Sequence, residues 1–158
     1  MDDAPVHRRF VDAPEGFRWT ETDVHPYKTD DAGHAAVCRQ VLFEEGLPVQ
    51  GRYFEIGPDG HSSFEKHRHV HAVFILRGRG QAVVGERVLT LAPFDVVRVP
   101  PDTWHQFIAA PDQPLGFLCV VERERDRPVY PSPEERIALR RIPALAAVAR
   151  FTSPESSV

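Results

Sequence analysis

The run Gly60-His61-Ser62-Ser63-Phe64-Glu65-Lys66-His67-Arg68-His69-Val70-His71-Ala72-Val73-Phe74-Ile75-Leu76-Arg77-Gly78 decides how this chain is read. Its first half is polar and rich in imidazole; its second half is apolar. On an extended strand, residues 65, 67, 69 and 71 share one face. Imidazole and carboxylate are ready ligands for first-row divalent metals. A histidine pair at i and i+2 can converge on one ion, whereas a ligand at +4 or +6 joins only if the chain bends. The plain alternative is a solvated strand with histidines by chance. Against it, the run leads directly into Val73-Phe74-Ile75-Leu76, and four titratable groups on the inward face of a core strand are costly without a shared partner.

Working outward, the flanking sequence reads as short strands. Val37 to Phe43 is an apolar run ending at Glu44-Glu45-Gly46, and Gly51 to Ile56 is closed by Gly57-Pro58-Asp59-Gly60. His71 to Leu76 ends at Gly78 and Gly80. Gln81 to Val84 and Arg87 to Leu91 flank Gly85-Glu86, a two-residue link suited to a type II′ hairpin. Asp95 to Val99 stops at Pro100-Pro101, and Trp104 to Ile108 and Gly116 to Val121 complete the set. Such spacing indicates an all-β sandwich or barrel. At the C-terminus, Ser132-Pro133-Glu134-Glu135 has the pattern of a capped helix start, predicting a helix from Pro133 towards Arg141. Pro143 then restarts a second helical stretch over Ala144 to Arg150. The expected division is an N-terminal arm over residues 1–18, a barrel over 19–130, and a helical segment and tail over 131–158.

Composition is ordinary for a globular chain: 158 residues, 42% hydrophobic and 27% charged, with a formal net charge of −4. That balance, with only Lys28 and Lys66 as lysines and no long basic run, argues against sequence-independent nucleic-acid binding. No apolar run approaches the ~20 residues that span a bilayer, so no membrane partner is expected. Residues 1–20 are charged and contain Pro5 and Pro14, unlike a signal peptide. A cytoplasmic location follows as the expectation, with Cys38 and Cys119 reduced and packed as small buried hydrophobes. Both faces of 71–76 are apolar, so both are expected to be covered, one by the N-terminal strands or by a second subunit in a sheet-to-sheet homodimer.

The stretch from Gly60 to Gly78 resembles the first motif of the cupin superfamily: a glycine, His-x-His, a glutamate, six residues and a closing glycine. Ala92-Pro93-Phe94-Asp95-Val96-Val97-Arg98-Val99-Pro100-Pro101-Asp102-Thr103-Trp104-His105-Gln106-Phe107 resembles the second. The resemblance spans roughly residues 37 to 121. It implies a jelly-roll (double-stranded β-helix) barrel, here with short C-terminal helices, and one divalent transition metal (Fe, Mn, Ni, Cu or Zn) near one end of its interior. With Gly78 as the closing glycine, the ligand positions fall on Glu65, His67, His71 and His105, with His69 in the bend. A register closing at Gly80 pairs His67 with His69 but puts Val73, which cannot ligate, at the glutamate position. A third version uses His67, His69, His71 and His105. Phe94 and Asp102 stand where the family's second motif has glycines.

Such a site with open coordination positions suits a small organic substrate. The leading expectation is dioxygenase-type chemistry; the alternatives are Lewis-acid isomerase or lyase chemistry, or a metal- or ligand-binding module without turnover. Val73, Ile75, Val83, Val97 and Phe107 are expected to line an apolar pocket. Arg52, Tyr53 and Glu55 lie on the preceding strand, one face of which could reach the pocket; the favoured reading for each is a half-exposed strand with alternating polarity. Trp104 and Phe107 flank His105 as core or aromatic wall, and His7, His25, His34 and His61 read as surface residues.

Overall fold

The structure is a computed structural model that describes residues 5–27 and 37–151; His34, the first residues of the arm and the tail beyond 151 lie outside them. Strands β1 (Phe10–Ala13) and β2 (Gly16–Trp19) form a hairpin. They are followed by β3 (His25–Pro26), β4 (Val37–Phe43), β5 (Val49–Ile56), β6 (His71–Gly78), β7 (Gly80–Val84), β8 (Arg87–Leu91), β9 (Val96–Val99), β10 (His105–Ala109) and β11 (Leu115–Glu122). Helices α1 (Pro133–Leu139) and α2 (Pro143–Val148) end the described chain. All pairings are antiparallel. One sheet has six strands in the order β3-β4-β5-β11-β6-β9, and the other has three, β10-β7-β8. This is the expected all-β jelly roll with short C-terminal helices.

The two sheets bury their inward faces against each other. Val73, Ile75, Leu91, Val99 and Leu115 are almost fully buried in one cluster that also holds Phe54, Phe107 and Phe117. Burying each large side chain contributes about 2 kcal/mol. The outward face of the three-stranded sheet is covered by the helices: Val83 packs with Phe64, Leu139 and Leu145, so it belongs to this second core and not to the interior pocket expected for it. Helix α1 begins as its sequence predicts, with Ser132 and Glu135 exchanging the two bonds of a capping box and Pro133 in the first turn.

The polar N-terminal stretch is more ordered than an arm. The β1–β2 hairpin, which crosses the expected boundary at residue 18, lies on the outward face of β5. There the Tyr53 ring stacks on Phe17 and sits 4.9 Å from Trp19, and Gln40 Nε2 donates to the Phe17 carbonyl at 2.8 Å. Tyr53 and Glu55 are therefore buried on the face away from the barrel interior, with Tyr53 Oη donating to Glu55 Oε2 at 2.7 Å. The cover does not reach the sheet edge, where Phe74 and its cross-strand partner Val96 remain 39% and 63% exposed. No helix among the described residues is long and apolar enough to cross a membrane.

Candidate metal centre

The segment from 61 to 70 is not a continuous strand. It touches the three-stranded sheet through isolated bridges, His61 to Ile108 and Glu65 to His105, and bends at Arg68 and His69 before β6 begins. The bend meets the requirement set by the spacing: residues 65 to 71 cannot reach one point along a flat strand. His105 enters from β10 and His71 from β6, so the site closes the gap between the two sheets.

All four expected residues come together, and His69 joins them. Two overlapping triples, His67-His69-His71 and Glu65-His67-His105, have ligand atoms within 4.8 Å of one another. His67 belongs to both. Ring centroids are 4.4 Å apart for His67 and His71, 4.8 Å for His67 and His105, and 5.4 Å for His71 and His105. His69 Nε2 lies 3.2 Å from His71 Nε2.

The second nitrogens of three rings are tied back. Nδ1 of His67 is 2.9 Å from the His69 carbonyl, Nδ1 of His105 is 2.9 Å from the Thr103 carbonyl, and Nδ1 of His69 is 2.8 Å from Asp126 Oδ1. An Nδ1–H donated to an oxygen leaves the Nε2 lone pair free. Ser63 Oγ donates to Glu65 Oε2 at 2.6 Å, orienting the carboxylate. Burial and the neighbouring imidazoles push His67 down to about 4, and for the same reasons His71 is held well below the ordinary histidine range. Both rings are neutral at pH 7, the form that ligates a metal.

The donor set fits a divalent transition ion. His67 Nε2 is buried without a hydrogen-bond partner, and such an orphan is costly unless something binds it. Imidazoles with a carboxylate suit Mn, Fe, Ni, Cu or Zn alike.

The pocket beside this cluster is lined by His71, His105, Glu65, Phe107, Phe117, Arg52 and Cys119, among others. Phe107 is placed as expected, whereas Val73, Ile75 and Val97 are packed into the core and do not line it. Two further residues face this space: Arg52, by the pocket-reaching alternative for its strand, and Cys119, read from the sequence as a buried structural thiol. Arg52 is buried and points inward, so it is not on a half-exposed strand. Cys119 stands opposite it in the β5–β11 pairing, with Arg52 Nη2 3.9 Å from its Sγ. Strand alternation carries the signal that was missed: Arg52 shares a face with Phe54 and Ile56, and Cys119 with Phe117 and Val121. Cys38, by contrast, is half-buried. His61 is buried, not a surface residue, and Trp104 stacks on Phe64 outside the pocket.

Comparison with known proteins agrees with this fold. The sequence model of the cupin domain, in its Cupin_2 form, matches residues 52–121. A 1-methylthio-D-xylulose 5-phosphate methylsulfurylase of Rhodospirillum rubrum is 46% identical over 149 residues, 93% of this chain and 96% of that protein. A cupin-2 domain structure from Rhodospirillum rubrum superposes with a TM-score of 0.79 at 49% identity, covering 82% of this chain and 88% of the other. A cupin 2 conserved barrel protein from Rhodopseudomonas palustris gives a TM-score of 0.79 at 44% identity, with 86% and 93% covered.

Proposed function

This chain belongs to the cupin family, and from that premise we propose that it is a metal-dependent enzyme removing the methylthio group from a 1-methylthio ketose 5-phosphate. The relative at 46% identity, matched over nearly its whole length, supports the substrate class. The observation that carries the reading is the pocket itself, where a thiol, a guanidinium and the histidine cluster line one space. The dioxygenase expectation rested on the ligand set alone; the Lewis-acid alternative has both the relative and the thiol in its favour.

The ion would be held by groups drawn from Glu65, His67, His69, His71 and His105, and when bound it supplies Lewis acidity towards a carbonyl oxygen. The remaining chemistry falls to the chain. In such a substrate the carbon–sulfur bond is adjacent to the ketone. Attack by Cys119 sulfur on the methyl-bearing sulfur forms an S–S bond and breaks the bond from C1 to sulfur. The released electron pair goes to the C1–C2–O unit as an enolate, which takes up at C1 the proton that the thiol lost. C1 is thereby reduced, and Cys119 is left as its methyl disulfide until a small-molecule thiol reduces it. Burial pushes the Cys119 thiol up, and the charge of Arg52 opposes that rise. The resting group is the neutral thiol, so it carries the proton the product needs.

The test is to load the protein separately with Mn, Fe, Co, Ni or Zn and supply 1-methylthio-xylulose 5-phosphate with dithiothreitol. Mass spectrometry should show the 1-deoxy ketose phosphate, and Cys119→Ser should abolish it. Intact substrate with every metal would end the reading.

A further inference from the structure

The inward face of β5 carries a charge that the metal chemistry does not explain. Arg52 is only 5% exposed. Among the described residues its Nε has no hydrogen-bond partner, no carboxylate pairs with it, and its one polar contact is the weak 3.9 Å approach to Cys119 Sγ. A guanidinium taken out of water without an anion is expensive. Its other neighbour is apolar: the Phe54 ring centroid lies 5.1 Å from the guanidinium carbon.

Further cations stand near it. Arg39 pairs with Phe54 across β4 and β5, so it lies on the same inward face as Arg52. Its guanidinium sits 5.6 Å from the Tyr27 ring, and Tyr27 lines the pocket. Arg125 reaches the same end, donating from Nη2 to Gln50 Oε1 at 3.2 Å. Gln50 is two residues before Arg52, on the same face. The crowding is felt at Arg125, which is held below the ordinary arginine range first by burial and then by the charge of Arg52, with Arg39 adding to it. Among the described residues neither Arg39 nor Arg125 has a salt bridge.

We propose that Arg52, with Arg39 and Arg125 behind it, is the binding site for the phosphate monoester of the substrate, fixing which end of the molecule meets the metal centre. Guanidinium matches phosphate oxygens in paired hydrogen bonds, and a dianion supplies the missing counter-charge. The layout fits a bifunctional substrate. β6, which carries His71, and β5, which carries Arg52, flank β11 with Cys119 between them. Two strand spacings place the backbones of β5 and β6 about 10 Å apart. A ketose 5-phosphate laid across them puts its phosphate at Arg52 and its ketone at the histidines, with the C1 sulfur turned towards Cys119. The assignment of this anion to a ketose phosphate rests on the proposed reaction; the anion site itself does not.

The experiment measures binding apart from turnover. Inorganic phosphate is titrated into the full chain, and the melting temperature is followed against sodium chloride at matched ionic strength. Phosphate should raise the melting temperature of the wild type, and Arg52→Met should weaken phosphate binding at least 10-fold. Without phosphate, Arg52→Met should melt higher than the wild type, because an unpaired buried charge is gone; a purely structural arginine would give the opposite sign. Arg125→Gln should weaken phosphate binding while leaving the fold intact, which keeps the test open if Arg52→Met does not fold. Phosphate affinity unchanged in both variants, or no specific response in the wild type, overturns the site. Arg52-dependent phosphate binding in a protein that releases no methylthio group supports the site and overturns only the reaction.

Discussion

At the scale of single residues, the metal centre depends on how each imidazole is held. Asp126 accepts from the backbone N–H groups of Arg68 and His69 as well as from the His69 ring, so it fixes both the bend and the ring that the bend carries. Asp126→Ala should lower metal affinity about 10- to 100-fold, as loss of a ligand-orienting partner does; unchanged metal content by elemental analysis would put His69 outside the ligand set. His67 gives a second prediction, for the metal-free protein. Its folded pKa of about 4 lies below the ordinary 6.5, so below pH 6.5 the unfolded chain takes up a proton that the folded chain refuses. Stability is then lost as the pH falls from 6.5 through 4, by about 3 kcal/mol from this group. Urea unfolding at pH 7 and pH 4 should show a smaller drop in His67→Ala, and equal drops would contradict the assignment. The histidines and Glu65 were legible in the sequence because their spacing is unusual and few structures tolerate it without a shared partner. Cys119 was not, and Arg52 was only one of two open readings, because a single arginine or cysteine on an alternating strand looks the same whether its face meets solvent, core or pocket.

At the scale of elements, the turns show what a family pattern fixes and what it leaves free. Phe94 and Asp102 replace glycines of the second motif, yet both keep the left-handed backbone, at φ 75° and 53°. The loop shape is therefore imposed by its surroundings: Phe94 N donates to the Ile75 carbonyl at 2.7 Å, and Asp102 N to the His67 carbonyl at 2.7 Å. A phenylalanine held there is strained by about 1 kcal/mol. Its side chain is 87% exposed and stabilises little in return. Phe94→Gly should raise stability by up to about 1 kcal/mol in chemical denaturation, and a loss would show that the ring packs on something. Gly78 is the reverse case. It has φ 73°, and an added Cβ would land on the Pro114 carbonyl oxygen, which is backbone and cannot swing away. Gly78→Ala should cost more than about 2 kcal/mol, with wild-type stability the outcome that refutes it. The same physics sorts what the sequence revealed. Gly85 at φ 62° and the capping box at Ser132 are local chemistry and were readable. The β1–β2 hairpin is short, and its aromatic residues Phe17 and Trp19 owe their place to Tyr53, as its backbone does to Gln40, residues far along the chain that no local pattern announces.

At the scale of the whole molecule, the C-terminal helices brace the metal centre although they do not touch the pocket. Glu65 and His105, which face the site, each have a chain neighbour on the helix side. Phe64 precedes Glu65, and its ring lies 4.6 Å from Phe151. Gln106 follows His105; its side chain donates to the Arg150 carbonyl at 2.8 Å and accepts from the Arg150 N–H at 2.8 Å. Leu145, fully buried, fills the space over Val83 and Phe64. Arg150 also ties back to Asp59, at the start of the metal-bearing segment, through a 2.7 Å ion pair. A chain ending at Ile142 would lose Leu145, Phe151 and both bonds between Gln106 and Arg150 together, leaving the buried Gln106 Oε1 without its donor while Nε2 keeps the Ser62 carbonyl. The cost should be several kcal/mol, since a large core side chain alone contributes about 2 to 5 when truncated. It should also reach the site, because Glu65 and His105 form a bridge whose other face rests on Phe64 and Gln106. The truncated chain is expected to melt lower and to hold metal less tightly than Leu145→Ala, which removes packing but keeps the Gln106 bonds. Equal metal affinity in the truncated and full chains, both folded by circular dichroism, would show that the barrel positions its ligands without the helices.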